Sequence, residues 1–165
     1  VINFVNIKEE DKLSRVAKVA MTQGMWGFEE SYSSTYSDYQ IDKVDGAADA
    51  QKRGELLGLV MKYPVDTEGE ESDEHNTISA GDRVIFVNAP GVEVEDDKLA
   101  TNNGDTTWST VTFLTPLVVN TSGYLTPYDA DDAPASAVYV AEFLRYVNGI
   151  VFYRTILSAS TAAAS

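Results

Sequence analysis

The chain has no cysteine, which rules out disulfides, thiolate nucleophiles and cysteine-held zinc or iron–sulfur centres. It has one histidine, His75, set among acidic residues where an imidazole base would have no packed wall behind it. Long apolar runs are also missing: nothing approaches the roughly 20 residues that a membrane-spanning helix needs. Basic residues are scarce, 12 Lys and Arg against 26 Asp and Glu. The net charge of −14 opposes a phosphate backbone, so no nucleic-acid partner is expected; a positively charged partner or bound cations would suit it better. Four motifs are absent as well: the GxSxG elbow, the GxxxxGK[ST] phosphate loop, HExxH and GxGxxG. No enzyme, no cofactor and no membrane association are expected.

What is present is a β-rich pattern. The 165 residues and 44% apolar content suit one domain over residues 1–157, followed by a small, polar, flexible tail over 158–165. Val1 to Glu10 lacks the basic start and apolar centre of a secretory signal. The fold expected is mainly β, an antiparallel sandwich or small barrel, with one or two short helices near the N-terminus and residues 1–30 as an arm or helix. Leu13, Val16, Ala17 and Ala20 fall at helical spacing within Lys8 to Met21; a strand over Arg15 to Met21 is the alternative. Trp26, Phe28, Tyr32, Tyr36 and Tyr39 lie among serines, as in a long loop or edge strand whose aromatics pack on the core or on a neighbour. Asp45 and GAADAQKR offer a cap and about two helical turns. LLGLVMKY, residues 56–63, suits a buried strand, and residues 66–76 form an acidic, solvated loop.

Gly81 to Val87, the turn Asn88 to Gly91 and the alternating VEVE predict a β-meander. Thr106 to Asn120 holds further strand, with Pro116 at an edge or bend. The strongest element is a hairpin turning at Asn148-Gly149, the dipeptide suited to a type I′ loop. Pairing outward from the turn sets Val147 opposite Ile150, Tyr146 opposite Val151, Arg145 opposite Phe152, Leu144 opposite Tyr153 and Phe143 opposite Arg154. Both faces are then apolar or aromatic, which makes Phe143, Arg145, Phe152, Tyr153 and Arg154, with Trp26, Tyr32 and Tyr36, the expected interface residues. Asp129, Asp131 and Asp132 are the candidate Ca²⁺ ligands, although their spacing does not match an EF-hand loop; a solvated turn is the competing explanation. Asn120-Thr121-Ser122 fits a glycosylation sequon.

Ser79-Ala80-Gly81-Asp82-Arg83-Val84, then Gly123-Tyr124-Leu125-Thr126-Pro127-Tyr128, and finally the hairpin ending in IVFYRTIL resemble the head decoration, or cement, proteins of tailed bacteriophages. The resemblance covers roughly the second half of the chain. It implies a non-catalytic virion protein, made in the host cytoplasm, that binds the major capsid protein on the outer capsid surface and clamps neighbouring subunits, often as a trimer. Two other classes stay open on the residues alone. One is a carbohydrate- or receptor-binding module of a tail fibre, stacking ligands on Trp26, Trp108 and the tyrosines. The other is a carboxylate-based hydrolase, which needs paired acids of separated pKa.

Overall fold

The run Leu57 to Val60 offers no polar side chain to water, a composition that suits a strand covered on both faces. The computed structural model, which describes residues 2–52, 56–62 and 77–156, shows two cores lying against this one segment. The first strands are β1 (Ile2–Phe4), β2 (Leu13–Ala17), β3 (Met21–Thr22), β4 (Trp26–Ser33) and β5 (Asp38–Lys43). A one-turn helix, α1 (Ala47–Ala50), precedes β6 (Leu57–Lys62), β7 (Thr77–Ile78), β8 (Arg83–Val87) and β9 (Glu93–Asp96). Helix α2 (Leu99–Asn102) leads to β10 (Pro116–Val119), β11 (Leu125–Pro127), β12 (Ala141–Val147) and β13 (Ile150–Thr155).

Five strands close a barrel in the order β2-β5-β4-β6-β8, with β2 and β5 parallel and the other neighbours antiparallel. Six more form an antiparallel sheet, β1-β9-β13-β12-β10-β11, and β3 pairs with β7. Alternation along the barrel strands divides their side chains. Ile41, Val60, Val84 and Phe86 belong to one core with Met21, Met25 and Ile78. Trp26, Phe28, Leu57, Leu59 and Val87 belong to the other, with Val94, Leu117, Val119, Phe143, Val151 and Tyr153 of the six-stranded sheet. The strands β6 and β8 thus send side chains into both cores, and β4, which turns Gly27 toward Ile41 and Val60, completes the wall between them.

Closing so small a barrel leaves little room inside it. Gly27 of β4 pairs with Gly58 of β6. A Cβ on Gly58 would meet the Phe86 ring at 2.5 Å and the Val87 carbonyl oxygen at 2.8 Å, and one on Gly27 would meet the Asp42 carbonyl oxygen at 2.6 Å. The missing side chains are the space that Phe86 and Ile41 fill.

Several expectations need correction. The segment Lys8 to Met21 is not a helix: after a 3-10 turn at Glu9–Asp11 it becomes β2 and then β3, because closing the barrel buries Val16 and Ala17. Nor are the first 30 residues an arm, since β1 pairs with β9 and β2 with β5 and β8. The aromatic segment is neither loop nor edge but the β4–β5 hairpin inside a closed barrel. No meander joins β8 to β9, which lie in different sheets. The chain crosses between them at a point held by Thr155, whose hydroxyl donates to the Ala89 carbonyl at 2.6 Å and accepts from the Val92 amide at 2.9 Å. The helix after Asp45 is one turn, and its N-cap residue is Gly46. The acidic loop with His75, and the tail over 158–165, lie outside the described residues.

The terminal hairpin turns at Asn148 and Gly149 with φ of 49° and 81°, the left-handed pair that a type I′ loop requires. Its first three pairs are those expected. Beyond Arg145 a bulge at Leu144 shifts the register, so Phe143 faces Tyr153 and Glu142 faces Arg154. The bulge turns Phe143 into the core and gives the Arg154 guanidinium a carboxylate partner, its Nε donating to Glu142 at 2.8 Å.

Gly58→Ala is expected to lower stability by about 1–3 kcal/mol through overpacking, whereas Gly104→Ala, whose Cβ would find only ordinary contact at 3.8 Å, stays within about 0.5 kcal/mol. Urea midpoints of the two variants test this, and equal midpoints would contradict it.

Candidate functional site: an apolar turn beside an acidic cleft

The residues expected at an interface separate into three groups. Trp26, Phe143 and Tyr153 are buried in the chain's own core, so none presents a surface to another protein; Trp108 is buried too, which removes both tryptophans as stacking platforms. Arg145, Phe152 and Arg154 share the outer face of the hairpin, where each finds a local partner. The Arg145 guanidinium lies 4.1 Å from the Phe152 ring centroid, and the shifted register pairs Arg154 with Glu142. That face carries one ion pair and one covered ring, not an apolar sheet. Tyr32 and Tyr36 are exposed on the β4–β5 hairpin.

The most exposed apolar group among the described residues lies elsewhere, between a 3-10 turn at Trp108–Thr110 and β10. The Thr115 amide donates to the Thr112 carbonyl at 3.1 Å and closes a four-residue turn, with the two threonine hydroxyls 2.9 Å apart. At its tip Phe113 is 68% exposed and Leu114 41%. Leu114 has φ of 65°, a conformation that costs a residue with a Cβ about 1–2 kcal/mol. The turn is nonetheless held firmly. The Leu114 amide donates to the Phe143 carbonyl at 2.7 Å, and the Phe143 amide donates to the Thr115 carbonyl at 2.9 Å. Beneath, the Trp108 ring stacks on Phe143 with centroids 6.0 Å apart and planes at 22°. A strained backbone thus carries two water-exposed apolar side chains on a packed base.

Beside the turn opens a cleft of about 900 Å³. Val111, Thr112 and Thr115 line it from the turn, Tyr128, Asp129 and Asp131 from the segment after β11, and Asp105 adds a third carboxylate. Asp132 also lines the cleft, but both of its oxygens are engaged. One accepts from the Thr126 hydroxyl at 2.5 Å and the other from the Asn120 side-chain amide at 2.9 Å. This is the physical reason that the candidate Ca²⁺ trio does not converge: Asp132 is a structural acceptor for two buried residues, and among the described residues no three acidic or imidazole groups are placed to hold a metal. Asn120 is equally committed, since its side-chain oxygen also accepts from the Ser122 and Tyr124 amides at 3.0 Å, so the sequon residue is a buried turn anchor.

Burial sets a different carboxylate apart. Asp96 ends β9 on the core face, opposite Val151 and Ile2. One of its oxygens accepts the Lys98 and Leu99 amides, each at 2.9 Å, which fixes the start of α2. Burial pushes its pKa up to about 6, against the smaller opposing pull of those two amides. Tyr153, two positions along the neighbouring strand, is also pushed up, first by burial and then by the Asp96 charge. These groups are enclosed and offer no route for a substrate.

Because the folded pKa of Asp96 lies above its unfolded value of about 3.9, its stabilising effect is complete below that value and is lost as pH rises through about 6, a change on the order of 3 kcal/mol. Asp96→Asn keeps the amide acceptor and removes the charge, so urea unfolding should show it gaining on the parent between pH 4 and pH 7, by about 3 kcal/mol at most. A constant difference across that range would refute the assignment. Asp132→Ala should cost about 1–3 kcal/mol by leaving the Asn120 side-chain NH2 without its acceptor and the Thr126 hydroxyl with only the Thr106 hydroxyl at 3.2 Å. A loss below about 0.5 kcal/mol in the same measurement would contradict that role. No family model, curated protein or solved structure matches this chain.

Proposed function

We propose that the protein is a non-enzymatic binding protein that docks through the Phe113–Leu114 turn onto a larger protein assembly, and that this assembly is the outer surface of a phage capsid. The single observation that carries the docking reading is the turn itself: two apolar side chains held out in water on a backbone conformation that glycine would adopt more cheaply. Burying the exposed parts of Phe113 and Leu114 on a partner is worth on the order of 2–3 kcal/mol, enough for the centre of a docking contact. The carboxylates of Asp105, Asp129 and Asp131 beside it, on a chain of net charge −14, favour a partner whose apolar pocket is rimmed by Lys and Arg. The capsid is the partner implied by the resemblance of the second half of the chain to phage decoration proteins, and trimeric self-association belongs to the same expectation.

Co-sedimentation of the purified chain with capsids of the phage that encodes it tests the reading. Phe113→Ala is expected to weaken binding about tenfold or more without lowering the unfolding free energy by more than about 0.5 kcal/mol. Leu114→Gly relieves the left-handed strain but gives up the buried part of the leucine and loosens the unfolded chain, so it is expected to leave stability within about 1 kcal/mol of the parent while weakening capsid binding. A gene lying outside any phage or prophage, or capsid binding indifferent to both substitutions, would overturn the proposal.

A further inference from the structure

The dipeptide Asn-Gly occurs twice in the chain, at Asn103-Gly104 and at Asn148-Gly149. The pair is chemically fragile, because glycine sets no side chain between its own backbone nitrogen and the side-chain carbonyl carbon of the asparagine before it. Once deprotonated, that nitrogen attacks the asparagine Cγ. The N–Cγ bond forms, the Cγ–Nδ2 bond breaks, and ammonia leaves a cyclic succinimide behind. Water, the one co-reactant, then opens the ring at either carbonyl carbon and gives aspartate or isoaspartate. Whether a given Asn-Gly reacts depends on whether the folded chain lets the two atoms meet.

The fold treats the two copies oppositely. Asn103 follows α2 and is only 3% exposed. Its side-chain amide donates to the Leu125 carbonyl at 2.6 Å, its backbone amide donates to the Leu99 carbonyl at 2.8 Å, and its own carbonyl accepts from the Thr106 amide at 3.2 Å. To carry Cγ to the Gly104 nitrogen, the side chain has to release Leu125. Stripping a buried donor of its acceptor costs about 1–3 kcal/mol before any chemistry begins.

Asn148 has none of these restraints. It is exposed at the tip of the β12–β13 hairpin, beyond the last pair, Val147 with Ile150. Among the described residues no hydrogen bond holds its side chain, and the Gly149 amide donates to no backbone acceptor. Nothing lies within 4 Å of the place a Cβ on Gly149 would take, so the attacking nitrogen stands in water. The two positive φ angles that select Asn-Gly for this loop therefore put the more reactive copy at the most open point of the sheet. A hairpin tip opens at the low end of the range of local free energies, whereas Asn103 waits for packed structure to part.

We infer that Asn148 is a site of spontaneous conversion to aspartate and isoaspartate in the folded chain, and that Asn103 is shielded from the same chemistry. Isoaspartate runs the backbone through its side chain and adds one carbon to the loop, which the pairing of Val147 with Ile150 does not accommodate. The inference does not depend on the docking reading, because neither the residues nor the chemistry involve the Phe113–Leu114 turn.

The full chain is held at mildly alkaline pH, either folded in buffer or unfolded in guanidinium, and peptides covering the two positions are followed by mass spectrometry with fragmentation that separates aspartate from isoaspartate. In the folded chain Asn148 is expected to convert at least about tenfold faster than Asn103, and in guanidinium the two should convert at comparable rates, since the difference between them is the cost of opening. Amide exchange at Ile150 should quicken in the isoaspartate fraction and stay unchanged in Asn148→Asp, which carries the new charge without the added carbon. The inference is overturned if Asn148 keeps its amide in the folded chain over the time in which guanidinium converts it, or if Asn103 converts as fast as Asn148 while folded. An Ile150 amide that exchanges no faster in the isoaspartate fraction would refute the loss of pairing.

Discussion

Everything in this structure depends on a wall that is buried on both sides. The strands β6 and β8 give Val60, Val84 and Phe86 to the barrel interior, and β4, β6 and β8 together give Trp26, Leu57, Leu59 and Val87 to the core beneath the six-stranded sheet. A wall with two dry faces has no polar side to spend, which is why Leu57 to Val60 is uninterrupted by a charge. It must also be thin where the barrel closes, and the Gly27–Gly58 pair makes it so. The polar groups caught near this junction carry the cost. Trp26 Nε1 and the Tyr153 hydroxyl have no hydrogen-bond partner of good geometry, and Asp96 is held where ionisation is unfavourable.

Such a wall allows the surface of each part to be specialised. The sheet carries its exposed phenylalanine and leucine on a turn anchored to the Phe143 backbone, next to carboxylates that have no role in the core. The barrel carries tyrosines whose neighbouring charges are already paired. The first arrangement leaves aliphatic and aromatic surface open to water, and the second leaves aromatic surface alone. The outer face of the β12–β13 hairpin shows neither, because Arg145 covers Phe152 and Arg154 pairs with Glu142.

The parts of the fold that rest on local chemistry are legible in the sequence, and those that rest on closure are not. Asn148-Gly149 announces its turn because few residue pairs accept two successive positive φ angles, and the apolar run of β6 announces burial. The bulge at Leu144 has no local sign. It exists because Phe143 has a core to enter and Arg154 an acid to meet, and one inserted residue exchanges the faces of everything beyond it. The helix expected over Lys8 to Met21 fails for a related reason, since spacing alone cannot register that β5 and β8 wait on either side of β2. At the candidate site, Asp129, Asp131 and Asp132 are visible as an acidic cluster, yet nothing local distinguishes Asp132, which turns inward to Thr126, from the two beside the cleft. The Phe113–Leu114 turn is hidden within a stretch whose residues favour strand, because a leucine in the left-handed region leaves no signature in composition.

Native-state amide hydrogen exchange tests the shared wall most directly. If one wall serves both cores, the slowest amides of β6 in the barrel and of β12 and β13 in the sheet open with a common free energy, and Gly58→Ala lowers both by the same amount. Protection of β12 and β13 that persists while Gly58→Ala weakens β6 would show two cores that merely touch, and would contradict the account.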